Sequence, residues 1–132
     1  SVGGKLIVSP NADVDVIAHT VAKGLQSWPG IFTPTEAFTA LNAGATGLKL
    51  FPGDMAGPAG MKAMRAVLPK GVQVYAVGGA GANNMGQWID ASADGFGIGS
   101  DLYKPGMAAS DVRKNADKCV AAYQKIIRDK IR

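Results

Sequence analysis

The sequence predicts an α/β fold built on a parallel sheet, and three features carry that expectation. Five short β-like runs alternate with helical stretches, and the run starts recur at a little over twenty residues. Each interval leaves room for one helix, the crossover that a parallel pair of strands needs. The runs end in Gly- and Pro-rich turns with small polar groups, where folds of this class bind their ligands. A chain of 132 residues is enough for one domain and not two, and no linker or low-complexity segment divides it.

The β-like runs are residues 5–9, 25–28, 47–51, 72–77 and 96–100. The first helix is expected near 13–23, with Asn11 or Asp13 as cap and Gly24 as its C-terminal stop. Thr33, Pro34, Thr35 and Glu36 fit a capping box for the second: Thr33 caps, Pro34 takes the first helical position and Glu36 closes back. That helix should end at Asn42–Gly44. A third is expected over 58–68, with Met61, Ala63, Met64 and Val67 on its apolar side, and a fourth from Asn83 or Asn84 to before Asp94. The last spans about 110–131, where Val112, Ala116, Cys119, Val120, Tyr123, Ile126, Ile127 and Ile131 recur at helical spacing.

Composition excludes several classes. Hydrophobic residues make up 47% and charged residues 18%, so a packed core is expected rather than disorder. No apolar run approaches the roughly 20 residues of a membrane span, and Lys5 interrupts the only early apolar stretch, so no signal-peptide layout is read. The single Cys, Cys119, allows no disulfide framework and points to a reducing, cytoplasmic setting. The single His, His19, allows no multi-histidine metal site within one chain. The net charge of +4 is local: residues 113–132 hold seven Lys or Arg against two Asp, and the rest of the chain is close to neutral. That pattern describes a solvated helix face, not a nucleic-acid surface.

Lys49 is the residue that stands out chemically. Alternation along 47–51 places Gly47, Lys49 and Phe51 on one face of the strand, and Leu48 and Leu50 on the other. A Lys in a poorly solvated pocket has a lowered pKa and becomes a nucleophile toward carbonyls; the plainer reading is a Lys snorkelling from a strand end. Gly78 and Gly79 close one run, and Gly99 and Ser100 close the next. Backbone N–H groups at such turns can bind phosphate, with the Ser100 hydroxyl as a further donor, although glycines there also simply permit tight turns. Neither nucleotide-binding glycine motif is present. Glu36, the only Glu, is accounted for by its cap. His19 is expected in solvent, Cys119 and Trp88 in packing, and Trp28 in packing or at a pocket border. Asp54 and Asp101, near strand ends, are secondary polar candidates.

Six segments then fall in one order: Ile-Val-Ser-Pro-Asn at 7–11, Pro-Gly at 29–30 followed by Thr-Pro-Thr-Glu-Ala-Phe at 33–38, Leu-Lys-Leu-Phe-Pro at 48–52, Ala-Val-Gly-Gly at 76–79, Gln-Trp-Ile-Asp at 87–90 and Gly-Ser-Asp-Leu-Tyr at 99–103. Together they resemble the keto-deoxy-phosphogluconate aldolase family, and within it the 2-dehydro-3-deoxy-6-phosphogalactonate aldolases. The resemblance implies a (β/α)8 TIM-type barrel, usually a homotrimer. It implies a class I aldolase of galactonate degradation, working through a lysine Schiff base with no metal or cofactor and giving pyruvate and glyceraldehyde 3-phosphate. The Schiff-base role falls on Lys49, pocket lining on Phe51, and the phosphate site on Gly78, Gly79, Gly99 and Ser100.

The resemblance also implies that the five runs are barrel strands four to eight. The family's first three βα units, with an Arg, a proton-relaying Glu and a Gly-x-Gly-Thr segment, have no counterpart in residues 1–132. The expectation is a partial chain of a barrel of about 200 residues; residues 1–132 alone should be poorly folded and inactive. A contrasting expectation is a non-catalytic open α/β module that binds a phosphorylated ligand; another is a subunit completed by a second chain. Strand order discriminates: sequential neighbours are barrel staves, and a reversal after the second strand is the open fold.

Overall fold

The five expected runs become six short strands, because the second, expected to end at Trp28 in a Pro-Gly turn, resumes as a strand at Gly30 past Pro29, which has no N–H to give to a ladder. In the computed structural model, which describes residues 2–131, the strands are β1 (Leu6–Val8), β2 (Gln26–Trp28), β3 (Gly30–Ile31), β4 (Leu48–Leu50), β5 (Val74–Val77) and β6 (Gly95–Gly97). The helices are α1 (Val14–Ala22), α2 (Pro34–Asn42), α3 (Gly53–Val67), α4 (Met85–Asp90) and α5 (Ala109–Ile131). Ser1, Arg132 and the side chain of Ile131 lie outside the described residues.

Every pairing is parallel and follows chain order, β1 with β2 in one ladder and β3, β4, β5 and β6 in turn in another. The ladder runs on across Pro29. Gly30 N–H donates to the Ser9 carbonyl (2.9 Å), and Lys49 N–H donates to the Pro29 carbonyl (2.9 Å). The second run is therefore one stave between β1 and β4. No reversal of order occurs, so these are consecutive staves of a TIM-barrel-type fold and not the open α/β arrangement.

Alternate strand residues face opposite ways. Ile31, Leu48, Leu50, Val74 and Ala76 turn outward and are buried against Ile17 of α1, Ala37 and Ala40 of α2, Met61 and Met64 of α3 and Trp88 of α4. Each fully buried aliphatic side chain contributes about 1.5–3 kcal/mol relative to exposure. The other face of the strands turns inward, toward the barrel axis.

The expected caps are present. The Asp13 carboxylate accepts from the N–H groups of Asp15 (3.0 Å) and Val16 (3.1 Å). Thr33 Oγ1 accepts from Glu36 N–H (3.3 Å), and the Glu36 carboxylate accepts from the N–H groups of Phe32 and Thr33 (2.8 Å each). Two boundaries differ from expectation. The third helix starts at Gly53, breaks at Gly57 (φ 63°, ψ 174°) and resumes at Pro58, so the expected start is that of its second segment. The last strand stops at Gly97, which places Gly99 and Ser100 in the following loop rather than at the strand end. There the Gly99 carbonyl accepts from the N–H groups of Leu102 and Tyr103 and closes a turn. On α5, Cys119 is half-buried rather than a core residue, and Tyr123 meets Phe96 edge-on at 6.4 Å between centroids. At the opposite end of the sheet from these loops, Arg65 pairs with Asp94 (3.3 Å), whose carboxylate accepts from Val74 N–H (2.7 Å).

Candidate active site at the strand ends

The inward faces of β1, β2, β4 and β5 bound a cavity of about 300 Å³ lined by Leu6, Val8, Gln26, Trp28, Lys49, Tyr75 and Val77, with Phe96 and Gly97 of β6. Its floor is aromatic. The rings of Trp28 and Tyr75 lie 4.5 Å apart between centroids and are tilted by 43°. Glycines on neighbouring staves make room for them. A methyl group at Gly47 would overlap the Trp28 indole, and one at Gly95 would come within 2.7 Å of the Tyr75 ring. The indole N–H donates to Gln26 Oε1 (3.1 Å), so that buried donor is satisfied within the cavity lining.

Lys49 stands one step along β4 from Gly47, between Gly30 of β3 and Tyr75 of β5. It is the one inward-facing charge in the cavity lining, and only 7% of it is exposed. Its Nζ lies 4.6 Å from the centre of the Phe51 ring. Among the described residues no carboxylate pairs with it. Burial pushes its pKa below the ordinary lysine value of 10.5, because a low-dielectric surrounding disfavours the charged amine. A larger neutral fraction makes the amine a better nucleophile toward a carbonyl carbon.

The loop after Lys49 and the loop after β5 are packed together. Gly78 (φ 97°) and Gly79 (φ 68°) occupy left-handed backbone. A methyl at Gly79 would lie 2.7 Å from Asp54 Cβ, and one at Gly78 would lie 3.0 Å from Gly53 N. Only glycines let the Gly78–Gly79 turn approach the start of α3 this closely. Asn84 pins the turn from the other side: its side chain accepts from Gly81 N–H (2.9 Å) and donates to the Gly79 carbonyl (2.8 Å). The N–H groups of Gly78, Gly79, Gly99 and Ser100 donate to no protein acceptor among the described residues. Gly99 has open space around it, and Ser100 is exposed.

Lys49 thus stands on β4, with Phe51, Gly78 and Gly79 on the adjoining loops and Gly99 and Ser100 on the next loop along. Asp54 and Asp101 are exposed and border the 78–81 turn, against Gly79 and Gly81 respectively. His19 is exposed on α1, on the far side of the sheet from Lys49. Trp28 lines the pocket, whereas Trp88 is buried in the core. Tyr75 is the site residue that the sequence reasoning passed over. The alternation used for Lys49, applied to 74–77, would have found it.

Fold and site together define a class: a parallel barrel of βα units with a buried, unpaired amine at the strand ends. The family model described as "KDPG and KHG aldolase" matches residues 1–119, and the chain belongs to that family. A relative from Rhizobium meliloti (strain 1021), named probable 2-dehydro-3-deoxy-6-phosphogalactonate aldolase, is 49% identical over 125 residues. That match covers 95% of this chain and 59% of the relative, so the chain spans about three-fifths of the relative's length. A solved structure described as "Native KDPGal structure" superposes with a TM-score of 0.92 at 46% identity, over 94% of this chain and 60% of that one. Another, a porous cage designed by fusing symmetric oligomeric domains, superposes with a TM-score of 0.93 at 46% identity, over 96% of this chain and 47% of that one. Among the described residues no helix is long and apolar enough to cross a membrane.

Proposed function

We propose that this chain carries the Schiff-base half of a class I aldolase that cleaves 2-dehydro-3-deoxy-6-phosphogalactonate to pyruvate and glyceraldehyde 3-phosphate. The observation that carries the reading is Lys49: a buried amine without a carboxylate partner, held on the inward face of β4 beside Phe51. The name of the 49%-identical relative supports the choice of the galactonate substrate.

In this reading the Lys49 amine attacks the substrate's C2 keto carbon and expels water to form an iminium. The C4 hydroxyl gives up its proton to a water molecule or to a base from barrel units that residues 1–132 do not hold, the C3–C4 bond breaks, and its electron pair moves to the iminium nitrogen as an enamine. The C4 fragment leaves as glyceraldehyde 3-phosphate. Protonation of the enamine at C3 and hydrolysis return pyruvate and the free amine. Phe51 lines the pocket over the Lys49 nitrogen. The phosphate is held by the free N–H groups of Gly78, Gly79, Gly99 and Ser100 and by the Ser100 hydroxyl, which fixes the distance from phosphate to keto carbon.

We further propose that the six strands are staves four to eight of an eight-stave barrel, which the sequential parallel order supports. The assembled protein is read as a homo-oligomer, a homotrimer by family resemblance. The similarity to a chain built from symmetric oligomeric domains supports the oligomer. A cytoplasmic location agrees with a phosphorylated substrate, whose charge keeps it from crossing membranes.

Borohydride reduction in the presence of pyruvate tests the assignment, with the adduct located by mass spectrometry. The expected result is a pyruvate adduct on Lys49. An adduct on Lys5, Lys62 or Lys104 in its place would overturn it.

A further inference from the structure

We propose that the Trp28–Tyr75 pair is a positioning device for Lys49: the two rings close the barrel axis beneath the amine, so that it meets its carbonyl from above and water does not reach it from below. The inference rests on the Schiff-base reading of Lys49 and adds the residues that hold that amine ready. Tyr75 is the register partner of Lys49 on β5, and both side chains line the same cavity. The Tyr75 ring lies over the next stave, where a methyl at Gly95 would come within 2.9 Å of three of its carbons. The Trp28 ring crosses from β2 to the place that a side chain at Gly47 would take, one inward step before Lys49.

The two rings meet, so one aromatic bridge runs from β2 to β6 below the amine. Gln26 fixes the turn of the indole by accepting its N–H. Above the bridge the Lys49 nitrogen lies against Phe51, on the loop beyond β4. The register partner of Lys49 on β3 is Gly30, which has no side chain and packs against the Pro10 carbonyl. A lysine amine rides on a flexible four-carbon stem, and rings above and below limit the directions it can take. Among the described residues no other charged side chain lines the cavity: β1, β2 and β6 bring Leu6, Val8, Gln26, Trp28 and Phe96, β3 brings none, and Tyr75 of β5 is the one other titratable group. On α3, behind β4, Asp54 borders the Gly79 turn, Lys62 is exposed and Arg65 is turned to Asp94. The aromatic floor, rather than a neighbouring charge, therefore sets how far water solvates the amine.

The test uses the protein as its gene encodes it and reads the rate of borohydride trapping with pyruvate against pH, for Tyr75→Ala, Tyr75→Leu and Tyr75→Phe. Tyr75→Ala opens the floor. Its profile should move up toward the ordinary lysine value of 10.5, and trapping near neutral pH should slow at least tenfold because less of the amine is neutral, with the adduct still on Lys49. Tyr75→Leu keeps an apolar side chain of core size and should shift the profile the same way by less, which decides the matter should the alanine variant not fold. Tyr75→Phe keeps the ring and should reproduce the parent's profile. A ring with a purely structural role would lower the unfolding midpoint and leave the profile where it is. Cooperatively folded Ala or Leu variants with the parent's profile would therefore overturn the role of the floor and leave that of Lys49 in place. A Tyr75→Phe profile displaced as far as that of Tyr75→Ala would assign the effect to the hydroxyl and overturn the floor as its cause. A parent whose adduct falls on another lysine would overturn both readings.

Discussion

The indole of Trp28 lies where a side chain at Gly47 would stand, on the neighbouring stave one step from Lys49. The glycine is therefore part of the pocket floor, because it lets a large ring cross from β2 over β4 and meet Tyr75. Gly47→Ala should push the ring upward and overpack the floor. The expected cost is about 1–3 kcal/mol, read by denaturant unfolding, with a change in tryptophan emission. Unaltered stability and emission would mean that the ring moves aside freely.

Lys49→Met should remove Schiff-base trapping and at the same time raise the melting temperature near neutral pH, by on the order of a few degrees. Burial lowers the pKa of this amine from 10.5, so folding is penalised while the amine must remain protonated in the pocket. The penalty is full below the folded-state pKa and fades as pH rises toward the unfolded value. The advantage of the variant should therefore narrow as pH approaches 10.5. A gap that is constant with pH would show that burial of the charge is not its cause.

Gly99 and Gly79 give separable tests of the phosphate site. A Cβ added at Gly99 meets nothing within 4 Å, and Ser100 beside it is exposed, so Gly99→Val should leave stability nearly unchanged. It should raise KM for the phosphorylated substrate on the order of tenfold, about 1.4 kcal/mol of binding. Gly79→Ala should raise KM and also cost about 1–2 kcal/mol of stability, because it adds a methyl to left-handed backbone against Asp54. An unchanged KM in Gly99→Val would remove the phosphate from that loop.

The capping box at α2 should show itself in acid. Hydrogen bonds, first from Phe32 N–H and then from Thr33, hold the Glu36 carboxyl below its ordinary value of 4.5. Its contribution to stability is present above that value and is lost as pH falls through the lowered pKa. Glu36→Gln should thus be less stable than the parent near neutral pH, with the gap narrowing below pH 4.5 and closing once pH has fallen past the lowered pKa. Thr33→Ala should cost about 0.5–2 kcal/mol. Parallel melting-temperature curves for Glu36→Gln and the parent down to acid pH would contradict the cap's electrostatic role.

Much of this was legible because parallel staves obey a period of two. Alternation alone put Lys49 inward and Leu48 and Leu50 in the core, and the motif Thr33 to Glu36 fixed the start of α2 to the residue. The misplaced boundaries have a common origin. Where a strand stops depends on where its partner's ladder stops, and β6 ends at Gly97 because the chain turns back on the Gly99 carbonyl, a contact that the run of small residues does not announce. The early turn of α3 was hidden because Gly57 and Pro58 read as a boundary, whereas the backbone breaks there and continues. Tyr75 was passed over because an aromatic in a strand reads as packing until its partners, Gly95 and Trp28, are known.

The strict agreement between strand order and chain order has a consequence for how such a protein is made. Each stave finds its partner one helix away along the chain, so a ribosome delivering residues in sequence always presents the next strand beside an edge already formed. Each new pairing closes a loop of only one βα unit, so the entropy cost of closure stays small at every step. The barrel can grow by accretion, one βα unit at a time, with the amine on β4 enclosed from both sides only after Tyr75 has arrived on the stave that follows it.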